Sequence, residues 1–281
     1  MVTVYLASIL AGVFYGITES VNKYITEKKY SAFSYAFIQF GINLIVYSLL
    51  FPLIRQIPGS PTPYIYLSIS ALLVVIGNIL IIKSYKTEDI SNLNILTKSS
   101  LIIAFLIGVV ILKESVSILN VLAIILILLG VIIIFFEKRT IKLSPGYLTA
   151  LLSGICYGVQ TFFLKKSSSY FHPISFYFFF YIFTVIFMLF IPGASKDIKP
   201  IFEKYKHLII PSRIALVIAN LLFIWSIANG KIAIVNANAE TTLLLSILFI
   251  GILFLGEKNN IGKKVAGSLL CIVGIILLNF F

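Results

Sequence analysis

The chain has 281 residues, 60% of them hydrophobic and only 11% charged, with a mean hydropathy of +1.08. A soluble globular domain is nearer one quarter charged, so the composition excludes that class and points to an integral membrane protein. The formal charge of +12 does not point to nucleic acid: the Lys and Arg stand singly or in small groups between apolar runs, where they meet lipid headgroups.

A membrane-spanning helix needs about 20 mostly apolar residues, and ten such runs follow one another. They cover roughly 2–22, 31–54, 64–83, 90–112, 116–136, 146–165, 173–192, 208–228, 232–255 and 261–281. The first lacks a basic leader and reads as a span rather than a cleaved signal. Clusters of Pro, Gly and charge end the runs, as in "IPGSPTP" (57–63) and "GEKNNIG" (256–262). The longest connection, about 193–207, has room for a short surface helix. Cys156 and Cys271 lie within apolar runs and read as packing residues, and His172 and His207 stand near run ends. No metal-ligand cluster, phosphate loop or Ser/His/Asp set can be assembled, so no catalytic residue, metal or cofactor is expected.

The second half repeats the first at an offset of 142. Gly12 falls on Gly154, Tyr15 on Tyr157, Gly16 on Gly158 and Lys23 on Lys165; Asn78 falls on Asn220, Ser84 on Ser226 and Asn94 on Asn236. Glu114 meets Glu257 after a one-residue slip. The expected fold is all-α integral membrane, with ten transmembrane helices as two inverted five-helix repeats, 1–140 and 141–281. Five is odd, so the second copy enters the membrane from the other side. Inverted repeats of this kind occur in secondary transporters, with the site near the midplane between the copies.

"YGITESVNK" (15–23), "YGVQTFFLK" (157–165), "GVVILKES" (108–115) and "GILFLGEK" (251–258) resemble the EamA-like branch of the drug/metabolite transporter superfamily. That resemblance implies ten helices in two repeats and transport of small metabolites. Three departures stand out: Tyr replaces the family's Trp, the Arg of its second helix is absent with Gln39 nearby, and the Pro of its fourth helix is missing.

An ionisable group near the bilayer centre costs a few kcal/mol or more unless it meets a partner or a polar cavity. Lys98 lies about 5 Å from the middle of its span by the helical rise, and Glu240 falls on it at the same offset. Opposite charges at equivalent positions can bridge directly, or hold a small zwitterion with Lys98 on its carboxylate and Glu240 on its ammonium. Glu19 shares a helical face with Tyr15 and Lys23; it either pairs with Lys23 or faces the cavity, where it would bind a cation or carry a coupling proton. Asn78, Asn94, Asn220 and Asn236 need hydrogen bonds where lipid offers none, and Tyr157 and Trp225 are candidates for stacking on a ligand. Glu114 and Glu257 read as structural, caps of an adjacent turn, with gating as the alternative.

The expected function is a secondary transporter moving a small polar metabolite, amino acid or amine-like, by alternating access, with protons as a candidate coupling ion. The alternative is export of lipophilic cations or other toxic compounds. The expected setting is the cell membrane, multi-pass, with a small-molecule substrate, the lipid bilayer and no nucleic acid as partners, and a monomer or homodimer left open. Loops after odd-numbered spans carry 15 Lys and Arg and those after even-numbered spans 5. The positive-inside rule therefore favours termini outside, whereas the resemblance implies termini inside; both stay open.

Overall fold

The computed structural model describes residues 2–26, 30–54, 56–84, 93, 96–135, 144–254 and 260–280. Ten helices run through these residues, with no strand among them. They are α1 (Val2–Thr26), α2 (Ala32–Leu50, extended by a 3-10 turn Phe51–Leu53), α3 (Thr62–Ser84), α4 (Ser99–Leu106, continued by a π turn Ile107–Ile111) and α5 (Ile118–Phe135). The second half supplies α6 (Pro145–Ser168), α7 (Pro173–Leu189), α8 (Ile198–Asn229), α9 (Ile232–Phe254) and α10 (Ile261–Phe280). Seven are long and apolar enough to cross a membrane; Ser99–Ile111, Ile118–Ile134 and Pro173–Leu189 are shorter apolar helices.

Local chemistry sets the helix starts. Ser31 accepts from the Ser34 N–H ahead of α2, and Ser144 accepts from the Tyr147 N–H ahead of α6, whose first residue is Pro145. His172 does the same for α7, its Nδ1 accepting from the Ile174 N–H at 3.3 Å. That gives this histidine a structural task at a run end.

One expectation is corrected. Residues 198–207 are not a separate surface helix but the first third of α8, which runs 32 residues with Pro211 inside. Proline removes one backbone bond and crowds the preceding turn. Ile201, Tyr205 and Ile209, spaced by four, nevertheless bury one stripe against Ile25, Tyr35 and Ile38, and this packing holds the helix across the defect.

The repeats interleave. α1 packs against α8 and α9 of the second repeat, and α6 packs against α3 and α4 of the first. Equivalent helices also meet each other, and they run antiparallel. Across α5 and α10, a Cβ on Gly130 would come 2.6 Å from the Gly267 carbonyl oxygen, Cys271 Sγ approaches the Ile127 carbonyl, and Asn120 Nδ2 donates to the Leu278 carbonyl. As one number rises the other falls. Across α2 and α7 the same opposition appears, with Phe40 beside Tyr181, Tyr47 on Tyr177 and Ser175 bonded to the Ile54 carbonyl. The two halves are therefore inverted copies about a pseudo-two-fold axis.

The close helix approaches obey the same symmetry. A Cβ on Gly12 would strike the Ala239 carbonyl oxygen, and one on Gly154 would strike that of Thr97, its repeat equivalent. Both glycines let α1 and α6 lie flush on α9 and α4. That contact puts α9 in the interior, and residues 232–239 are buried without interruption.

Candidate functional site

Lys98 directly precedes α4, and Glu240 sits midway along α9. Their side chains meet: Lys98 Nζ lies 2.5 Å from Glu240 Oε2. The expected convergence of the two charges takes the direct form. Desolvating a charge pair is expensive, and these side chains keep 11% and 30% of their exposure, so the carboxylate is the less buried partner. The N-terminus of α4 adds its positive dipole end beside Lys98.

One face of α1 continues the polar surface with Tyr15, Glu19 and Asn22. Tyr15 donates to Asn220 Oδ1 at 2.9 Å, and Asn220 Nδ2 donates to the Tyr181 hydroxyl at 2.8 Å. Phe223 meets the Tyr15 ring edge-on at 5.9 Å. Beyond this chain, Tyr47, Tyr177 and Tyr181 stack at the α2–α7 crossing, with centroids 5.3–5.9 Å apart. Glu19 is exposed although it is set deep in the bundle, with Arg213, Glu240 and Lys98 as its charged surroundings. Those charges surround it, whereas the apolar Val13 and Ile17 hold a different exposed face of α1. Its partner in the structure is Asn22, whose Nδ2 donates to Glu19 Oε1 at 3.1 Å. The alternative pairing with Lys23 involves a side chain outside the described set.

Arg213 is the residue that sequence reasoning missed. It is 1% exposed, and its Nη2 donates to Asn22 Oδ1 at 3.0 Å. Tyr35 and Gln39 donate to the same oxygen, each at 2.8 Å. Arg213 of α8 and Gln39 of α2 are thus bonded to one and the same atom. The available signal was a lone arginine inside "IIPSRIALVIANLL", masked by its place at a span boundary.

The other expected residues divide. Asn236 is buried one turn before Glu240, and its Nδ2 has no partner among the described residues. Tyr157 packs its ring against Gly77, and Asn78 Nδ2 bonds the Val74 carbonyl of its own helix. Trp225 is 41% exposed while Phe223, Ile224 and Ser226 beside it are buried, so it turns away from the polar chain. Asn94 and Glu257 lie outside the described residues. Asn238 and Asn279 exchange two amide bonds of 2.8 Å and serve as glue between α9 and α10.

Glu114 caps a helix, but not an adjacent turn. Its oxygens accept from the Ile232 and Ala233 N–H groups at 2.7 and 3.2 Å, at the N-terminus of α9 in the other repeat. Lys165 closes the preceding helix, donating to the carbonyls of Ile227, Ala228 and Gly230 at 2.6, 3.1 and 2.7 Å. A carboxylate on a helix N-terminus and an ammonium on a C-terminus both complement the helix dipole, so the α8–α9 junction is clamped from two sides. This clamp lies at the end of the bundle that carries both termini; Glu19 lies toward the opposite, Lys/Arg-rich end.

The sequence model of the EamA-like transporter family matches residues 2–136 and again 144–280. No curated protein matches the chain. Among solved structures 29 chains match. One, described as "Crystal structure of protein", superposes with a TM-score of 0.76 at 14% identity, covering 98% of this chain and 97% of its own. At that identity the likeness shows a common fold.

Proposed function

This chain belongs to the EamA-like transporter family, multi-pass membrane transporters of the drug/metabolite transporter superfamily, and we propose that it moves a small polar metabolite, an amino acid or an amine, by alternating access. The observation that carries the reading is the Lys98–Glu240 pair, one charge from each inverted repeat, joined at 2.5 Å with the carboxylate still partly exposed. In the empty protein each charge is the other's counter-ion. A zwitterion entering between them substitutes its carboxylate and ammonium for these partners, so neither charge is stranded when the repeats separate. Glu19 and Glu240 are the candidates to carry a coupling proton.

One observation favours the second reading, export of lipophilic cations. Glu240 neutralises Lys98, which leaves the accessible Glu19 as a carboxylate on the same helical face as Tyr15. The buried Arg213 guanidinium weighs against it, because a bare cation would meet that charge. Counterflow in proteoliposomes decides between them: vesicles preloaded with unlabelled amino acids should accumulate the labelled compound transiently. Exchange of lipophilic cations with none of any amino acid or simple amine would replace the first reading by the second, and no exchange of any compound would remove both.

A further inference from the structure

We infer that Arg213, Tyr35, Gln39 and Glu19 form a second zwitterion-binding station in series with the Lys98–Glu240 pair, reading an amino acid by its carboxylate and ammonium together; this rests on the transporter reading above. The cluster centres on Asn22. Its Oδ1 receives Arg213 Nη2 at 3.0 Å, the Tyr35 hydroxyl at 2.8 Å and Gln39 Nε2 at 2.8 Å. A carbonyl oxygen has two lone pairs, so three donors exceed what it can satisfy well. Two elements, α8 and α2, thus bring a cationic donor and two neutral donors to one acceptor on α1. At the other end of the same amide, Nδ2 donates to Glu19 Oε1 at 3.1 Å.

The Asn22 amide therefore lies with its oxygen toward a guanidinium and its nitrogen toward a carboxylate. An amino acid presents the same acceptor–donor pair with full charges, and charge-assisted bonds are roughly twice as strong as neutral ones. The guanidinium is planar and suits a carboxylate, and at 1% exposure it is held in place by protein. Glu19 is exposed, so a ligand can reach the cluster from its side. Arg213 and Glu19 cancel in charge, as Lys98 and Glu240 do. A net-neutral zwitterion leaves each station neutral; a dianion would meet Glu19 and a simple cation would meet Arg213.

The stations are offset along the bundle. Gly12 of α1 lies level with Ala239 and Thr242 of α9, so Glu19 stands about eight residues beyond the level of Glu240, roughly 12 Å at the helical rise. On α1, Tyr15 stands between these two levels, and its hydroxyl bonds Asn220, which in turn bonds Tyr181. The outer station faces the Lys/Arg-rich loops and would receive or release substrate there.

The test is equilibrium binding in lipid nanodiscs, using each of the 20 proteinogenic amino acids in radiolabelled form, on wild type and on the Lys98→Leu/Glu240→Leu double variant. At least one amino acid that binds wild type should still bind the double variant, with one site lost from the wild-type stoichiometry. The amine and the acid made from that compound by removing one charged group should bind at least about 30-fold more weakly. In the same background Tyr35→Phe should weaken binding about tenfold, the size of one hydrogen bond to a charged group. Asn22→Ala should instead tighten it several-fold, because the internal occupant is gone; a merely structural asparagine would not give that sign. Binding by wild type but by no double variant would overturn the second station while leaving transport intact. So would an amine that binds as tightly as its amino acid, or unchanged affinity in both Tyr35→Phe and Asn22→Ala. An absence of binding to wild type would remove the amino-acid reading and this station together.

Discussion

At the C-terminal end of α1, Glu19 and Asn22 meet Arg213, Tyr35 and Gln39, while the repeat-equivalent positions on and around α6 are Thr161, Leu164, Ala71, Tyr177 and Tyr181. One end keeps a carboxylate exposed and a guanidinium bonded. At the other, Thr161, Leu164 and Ala71 are buried, and the threonine hydroxyl bonds back to the Tyr157 carbonyl at 3.0 Å. The backbone frame is the same at both ends, set by the glycine contacts and antiparallel crossings. Polarity is what diverged. The frame tolerates this because buried apolar groups and bonded polar groups are both stable inside a bundle; only a stranded polar group is costly. The repeats thus conserve a scaffold and differ in chemistry along the route between them.

Substitutions at the pair that joins the repeats should have the largest effect. Lys98→Leu alone or Glu240→Leu alone strands the other charge. The penalty for a dry pair is about 3–5 kcal/mol, and the residual exposure here brings the expectation nearer about 2–3 kcal/mol in a denaturation midpoint, with transport lost. The symmetric scaffold predicts matched losses next. Gly12→Ala and Gly154→Ala should each destabilise by about 1–3 kcal/mol, the usual range for overpacking. A loss at Gly12 with none at Gly154 would break the symmetry argument.

The clamp comes third. Glu114→Ala removes the acceptor for two N–H groups at the start of α9 and should cost about 1–2 kcal/mol, as caps do; Glu114→Gln should cost less. Thermal unfolding of the purified protein reads both. The smallest effect is the one that sharpens the contrast between the two ends. Tyr15→Phe deletes the bond to Asn220 and should cost about 1 kcal/mol, whereas Thr161→Val at the sealed end should be close to neutral, since its hydroxyl bonds only within its own helix turn. Equal, large effects of both on transport would show that the sealed end is also part of the route.

Much of the frame was legible in the sequence, because lipid imposes long apolar runs and a fixed repeat offset marks each half. The Lys98–Glu240 pair was legible for the same reason: 142 residues separate them, and 142 is the repeat offset. Arg213 was not, since it lies five residues into the 208–228 run, its repeat equivalent is the apolar Ala71, and only the structure shows Asn22 as its partner. The partners of Lys165 and Glu114 were hidden for a different reason. They are backbone atoms 62 to 119 residues away, and no side-chain pattern announces a carbonyl or an N–H. Trp225 looked like a stacking residue by type, but its place on α8 turns it outward.

The central claim is that Lys98 and Glu240 serve the passage of substrate rather than merely strapping the halves together. Replacing both by leucine removes the pair without stranding a charge, which leaves stability near wild type or above it. Proteoliposome counterflow with this double variant, its insertion verified, tests the claim most directly. The double variant should be folded and exchange nothing; exchange at the wild-type rate would leave the pair with a structural role alone.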